Sequence, residues 1–237
     1  MATSGKPSWL SRTFFRRQKT TRRKLPYGCQ LGFEPLEDRT LLSFGLTEGG
    51  RHAVRFEDAD GNFKATVALT EADAEGGTAV LLTLRASGLR AHSNQWALPG
   101  GRCDQGETPV MAALRELHEE LGLELDEGDV LGLLDDYPTR SGYLITPVVV
   151  WVSANAALKP NPAEVASVHR VAVSDIEQED AFSFTTIPES TRRVIRFHLA
   201  GQFIHAPTAA LIYQFREVLG GRDTRVAELE QPVFAWK

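Results

Sequence analysis

The stretch TPVMAALRELHEELG, Thr108 to Gly122, constrains the fold more than any other part of the chain. Thr108 can accept a hydrogen bond from the first turn as N-cap, and Pro109 suits the first helical position. Gly122 suits the left-handed residue that commonly closes a helix. These signals predict a helix over about Pro109–Leu121, with Val110, Leu114, Leu117 and Leu121 recurring at helical spacing as a core-facing stripe. Another face is acidic. Glu116, Glu119 and Glu120 stand at i, i+3 and i+4, which brings their carboxylates together along one side. Like charges at this spacing cost about 0.2–0.5 kcal/mol per pair. A solvated acidic face tolerates that cost, and a hard divalent cation such as Mg2+ would offset it.

Around this helix, Phe63–Leu69, Thr78–Leu84, Val130–Leu134, Tyr143–Val152 and Val165–Val173 have strand-like composition. A second amphipathic helix is expected over Thr208–Leu219, where Leu211, Ile212, Phe215, Val218 and Leu219 share a face and Gly220-Gly221 ends it. Strands mixed with packing helices imply an α/β or α+β layered domain. Its expected span is 50–220, after an N-terminal extension over 1–45 and before a C-terminal tail over 221–237. The run Arg85–Gly101, with its Gly, His, Asn and Pro, reads as a long loop of the kind that carries function.

The formal charge of −5 conceals an asymmetry: Lys6, Arg12, Arg16, Arg17, Lys19, Arg22, Arg23 and Lys24 precede the first acid, Glu34. Without these eight positive charges the remainder carries −13. Such an arm reads as a solvated extension, with nucleic-acid or membrane contact the alternative, and no specific nucleic-acid partner is expected. No apolar h-region follows the doubled arginines, and the longest apolar stretch, Tyr143 to Val152, falls short of the roughly 20 residues that a membrane span needs. The two cysteines, Cys29 and Cys103, form no Cys/His grouping, which fits a reducing, cytoplasmic setting. Phe33–Ser43 resembles a short signature near the N-termini of certain bacterial surface and exported proteins, and it keeps export open.

The helix belongs to a longer pattern. Gly101-x5-Glu107-x7-Arg115-Glu116-Leu117-x-Glu119-Glu120-x-Gly122-Leu123 matches every fixed position of the Nudix hydrolase signature, and the chain resembles that family. The resemblance implies an α/β/α sandwich with a mixed sheet and a loop-helix-loop motif. It further implies that Glu116, Glu119 and Glu120 bind Mg2+ or Mn2+ at a pyrophosphate, with the Gly101 carbonyl as a possible additional ligand. Glu107 and Arg115 are expected to pair and hold the loop against the helix. His118 occupies a variable position and reads as a packing or surface residue. Cys103 reads as a bystander, since the inferred nucleophile is water.

Upstream, Leu81-Leu-Thr-Leu-Arg85-Ala-Ser-Gly-Leu-Arg90 and the run through Asn94, Leu98, Pro99, Gly100 and Gly101 resemble the signature of coenzyme A pyrophosphatases, departing at Asn94 for Gly and Leu98 for Phe. Ser141–Pro147 and Asn161–Val165 resemble the same subfamily. The implied substrate is coenzyme A or acyl-coenzyme A, cleaved to adenosine 3',5'-bisphosphate and (acyl-)4'-phosphopantetheine. Arg85 and Arg90 are the candidates for gripping phosphate oxygens, against a structural reading as strand-end and surface arginines. Trp96 could stack on adenine or plug the loop. Metal-assisted attack of water on phosphorus needs a general base, either Glu120 or Glu164. A Nudix enzyme for a nucleoside triphosphate, ADP-ribose or a dinucleotide, and a silent binding module, are the rival readings.

Overall fold

The computed structural model describes residues 62–71, 77–89 and 92–236. Arg90, Cys29 and the basic N-terminal segment lie outside the described residues. The elements run β1 (Asn62–Glu71), β2 (Thr78–Arg85), β3 (Trp96–Ala97), α1 (Pro109–Leu121), β4 (Val130–Leu133), β5 (Tyr137–Pro138) and β6 (Leu144–Trp151). There follow β7 (Val165–Ala172), α2 (Val173–Ile176), β8 (Phe182–Ile187), β9 (Ser190–Leu199), β10 (Gln202–His205) and α3 (Thr208–Leu219).

Seven strands form a mixed sheet built on the order β3-β2-β1-β6-β4, with β7 on β2 and β5 on β6. Its centre is the parallel pair β1–β6, in register from Asn62↔Leu144 to Leu69↔Trp151, and the other pairings are antiparallel. Side chains alternate across a strand, so each central strand feeds two cores. Ala68, Leu81, Val148 and Val150 pack under α1 with Ala113, Leu117 and Leu121. Val67, Leu69, Val80, Leu82, Val149 and Trp151 face the other way, onto α3 and the hairpin layer. This is the mixed-sheet α/β/α sandwich that the resemblance implies.

Helix α1 has the predicted bounds and caps: Thr108 Oγ1 accepts from Met111 N at 3.2 Å, and Gly122 adopts φ 66°. The stripe is shifted slightly. Ala113, Leu117 and Leu121 are fully buried while Val110 and Leu114 flank them.

Two features go beyond the sequence reading. A separate antiparallel sheet, β10-β9-β8, occupies the region between β7 and α3. The segment after α3, assigned above to a tail, is packed: Val226 and Leu229 are buried in the α3-side core. Glu230 is 1% exposed and pairs with Arg140, Nη2 to Oε2 at 2.7 Å.

Candidate active site

The first half of β1 holds the motif loop as an extra strand would. Lys64 N donates to Gly101 O at 2.8 Å and Thr66 N to Pro99 O at 2.7 Å. A Cβ on Gly100, at φ 152°, would run into the Lys64 carbonyl, so only glycine lets the chain pass here. A Cβ on Gly101 would meet the Glu116 carboxylate. The two glycines thus bring backbone directly onto the acidic side of α1. The Gly101 carbonyl is engaged by Lys64 and keeps one further lone pair.

Arg115 ties the loop to the helix. Its Nε donates to Glu107 Oε1 at 2.8 Å and its Nη2 to Glu107 Oε2 at 3.1 Å, a two-pronged pair, and Nη2 also reaches Arg102 O at 2.9 Å. Nη1 reaches Glu116 Oε1 at 3.0 Å and Glu119 Oε2 at 2.9 Å. Asp104 N donates to Glu107 Oε2 at 2.8 Å, closing the loop.

The three helix glutamates stand in different surroundings. Glu120 is 4% exposed and accepts from Gly100 N at 3.3 Å. Burial, and next the charge of Glu116, push its carboxyl up to about 8. Glu116 is also raised, first by burial, with Glu119 and Glu164 adding to the effect and Arg115 opposing it. Glu119 has a half-exposed side chain and is turned onto Arg115. Among the described residues no three His, Cys, Asp or Glu side chains converge as a ready-made metal cage.

Glu164 joins this cluster through a second docking event. Lys159 N donates to Leu121 O at 2.8 Å and Asn161 N to Glu120 O at 2.9 Å, satisfying carbonyls that the end of α1 leaves open. The same loop turns at Asn161, whose Oδ1 accepts from Ala163 N at 3.1 Å. Glu164 thereby comes near enough for its charge to raise both Glu116 and Glu120. Arg85, at the end of β2, is close enough to Glu120 to lower its pKa, and its Nε is buried with no hydrogen-bond partner among the described residues.

His118 is exposed. Cys103 has its thiol pushed up by burial, which keeps it protonated and weakly nucleophilic. Trp96 donates its indole N–H to Gln202 Oε1 at 2.8 Å and packs edge-on against His169 at 4.6 Å, so it bridges the two sheets. Lys64, which the sequence reading passed over, is 6% exposed and donates to Thr146 Oγ1 at 3.2 Å; Thr146 donates to Asp136 at 2.6 Å. Its signal was a cation at an interior position of an apolar strand.

A mixed-sheet α/β/α sandwich whose glycine-bearing loop delivers an acid-faced helix defines a class of phosphoanhydride hydrolases. The chain belongs to the Nudix family: the profile of the NUDIX domain matches residues 62–189. It is 33% identical over 141 residues to the uncharacterized Nudix hydrolase NudL of Photorhabdus laumondii, covering 58% of this chain and 75% of that one. It is 29% identical over 144 residues to Nudix hydrolase 3 of Caenorhabditis elegans, 59% of this chain and 60% of the relative. A MutT/nudix family protein from Enterococcus faecalis has the same fold, with TM-score 0.50 at 18% identity, covering 69% of this chain and 64% of that one. Nudix hydrolases act on nucleoside diphosphate derivatives and are generally dependent on a divalent metal. No helix among the described residues is long and apolar enough to cross a membrane.

Proposed function

We propose that this chain hydrolyses the phosphoanhydride of coenzyme A or acyl-coenzyme A, releasing adenosine 3',5'-bisphosphate and (acyl-)4'-phosphopantetheine. The observation that carries the reading is the placement of Arg85: the segment that resembles the coenzyme A pyrophosphatase signature delivers its guanidinium beside Glu120, with Nε buried and without a hydrogen-bond partner among the described residues. The two departures from that signature preserve its physics. Asn94 stands where the pattern has glycine, and it adopts φ 56°, the left-handed conformation that asparagine tolerates best after glycine. Leu98, in place of Phe, is 7% exposed in the α3-side core and keeps an apolar plug there.

The donor set fits a divalent cation. Glu116 and Glu120 bring two carboxyls that burial disfavours as anions into a covered site, and a bound Mg2+ or Mn2+, which needs only one or two carboxylates beside water and phosphate oxygens, would hold them ionised. Glu119 would join them on leaving Arg115, and the spare lone pair of the Gly101 carbonyl is within the same site. When bound, the cation supplies positive charge for the pyrophosphate oxygens and their transition state. Water attacks phosphorus, a new P–O bond forms, and the anhydride P–O bond breaks. Of the two candidate bases, Glu120 is buried and would be held by the cation, which leaves Glu164 to take the proton of the attacking water. Arg85 steadies the pyrophosphate. The 3'-phosphate falls to Arg90.

The test compares coenzyme A with its 3'-dephospho form in Mg2+ or Mn2+, with products identified. Coenzyme A is expected to be hydrolysed roughly ten- to hundredfold better in kcat/KM, the range of one charge-assisted hydrogen bond. Arg90→Ala should erase that preference, and Arg85→Ala should depress both substrates. Equal rates on the two in the unmodified enzyme, or faster turnover of ADP-ribose, would sink the coenzyme A reading and leave the family assignment standing.

A further inference from the structure

Beside the motif loop lies a cluster that the chemistry above does not use. Phe63 and Tyr143 meet edge-to-face with ring centroids 4.6 Å apart. The Arg102 guanidinium lies 5.4 Å from each centroid, and its Nη2 donates to Tyr143 Oη at 3.0 Å. Both rings are half-buried and Arg102 is exposed. The guanidinium is thus backed by two rings and tethered at one edge.

Its position relative to the carboxylates follows from strand geometry. Arg102 and Phe63 face each other in an antiparallel bridge, and opposed residues share a face. Gly101, one residue back, presents its face to Glu116. Successive residues of an extended segment point to opposite sides. Arg102 therefore projects away from Glu116 and Glu120, on the far side of a segment one strand thick. A phosphate bound by the carboxylates and their cation would not lie on the guanidinium, which leaves Arg102 for a part of the substrate beyond that phosphate.

We propose that Arg102, backed by Phe63 and Tyr143, is the stacking platform for the nucleobase of the substrate. This rests on the reading that the site takes a nucleoside-diphosphate-linked compound, and does not depend on that compound being coenzyme A. Guanidinium planes and aromatic faces both stack on bases, and a guanidinium already packed on rings loses little further freedom when a base covers it. The purine ring, with its wide π-face, is the best-matched occupant.

Titration calorimetry of the whole chain in the presence of Mg2+ tests this with adenosine 5'-monophosphate and ribose 5-phosphate, which share sugar and phosphate, differ by the base and hold no anhydride bond to cleave. The unmodified protein should bind the nucleotide about tenfold tighter or more, the range that base stacking supplies. Arg102→Ala should abolish the difference and leave ribose 5-phosphate binding unchanged. Tyr143→Phe, which keeps the ring and releases the guanidinium, should remove part of it. Equal binding of the two ligands by the unmodified protein would overturn the proposal. So would an equal loss for both in Arg102→Ala, which would make Arg102 a phosphate contact. Because titration reads no turnover, this result is separate from whether the hydrolase reading holds.

Discussion

Gly100 and Gly101 are adjacent, yet a methyl group at each would do different damage. At Gly100 the obstacle is the Lys64 carbonyl, a backbone atom that cannot move aside, and φ 152° disfavours any side chain. At Gly101 the obstacle is the end of the flexible Glu116 side chain. Gly101→Ala should therefore keep the fold within about 1 kcal/mol while pushing Glu116 away from the loop. The expected outcome is a melting temperature near that of the unmodified protein with loss of the stabilisation that Mg2+ or Mn2+ gives. A variant still stabilised by metal to the normal extent would show that Glu116 is not a ligand. Glu120→Gln makes the complementary case. It replaces a carboxylate that burial already disfavours, so it should leave folding intact and lower turnover at least about a hundredfold at saturating metal. Near-normal rates would remove Glu120 from the site.

Among the elements, α1 and α3 were legible because their evidence is local: an apolar stripe and a closing glycine lie within one run of sequence in each, with the Thr108 cap besides in α1. The small sheet was not legible. In β9 the buried Val194, Ile195 and Phe197 are interleaved with Arg192, Arg193 and Arg196, which breaks both helical and strand periodicity. Its hairpin turns at Ala200-Gly201 with φ 49° and 75°, and alanine is not a residue that announces such a turn. The site divides in the same way. Glu107, Arg115 and the helix glutamates fall within a contiguous motif, while Arg102–Tyr143 and Lys64–Thr146 join residues 41 and 82 positions apart. The tie between the β5 turn and the last segment is another such pairing. Arg140 reaches Glu230 at 2.7–3.1 Å, with Ser190 Oγ at 2.6 Å and Gln231 N at 3.0 Å as further donors. Burial alone would raise Glu230, but these donors outweigh it and hold the carboxyl below its usual 4.5. Glu217 is lowered too, first by its hydrogen bond from Arg222. A pKa that falls on folding contributes stability that is complete above the ordinary carboxylate value and lost as pH drops through the folded one. Thermal stability should thus decline as pH falls below 4.5, and less steeply in Glu230→Gln. Arg140→Ala, which strips the carboxylate of its main donor, should cost about 1–3 kcal/mol near neutral pH. An unchanged acid profile in Glu230→Gln would show that this pair does not fasten the segment.

At the scale of the whole molecule, the two ends of the chain are expected to behave oppositely on truncation. The sheet is covered on both faces among the described residues: Ala68 packs beneath α1, and Val67 and Leu69 pack toward α3. Residues 1–43 precede β1 and lie outside the described residues; their removal leaves every named member of both clusters in the chain and should leave specific activity intact. Removing 224–237 takes Val226 and Leu229 from the α3-side core, and with Glu230 it takes the partner of Arg140. Large-to-small losses at two buried apolar positions alone cost about 4 kcal/mol or more, comparable to the whole stability of many domains. The shortened chain should accordingly lack a cooperative melting transition, while the chain lacking 1–43 should melt as the full chain does and hydrolyse its preferred substrate at the same rate. Cooperative unfolding after the C-terminal deletion would show that the segment only decorates the surface. Loss of activity in a folded chain without residues 1–43 would place that basic extension in the active site or in an assembly on which the site depends.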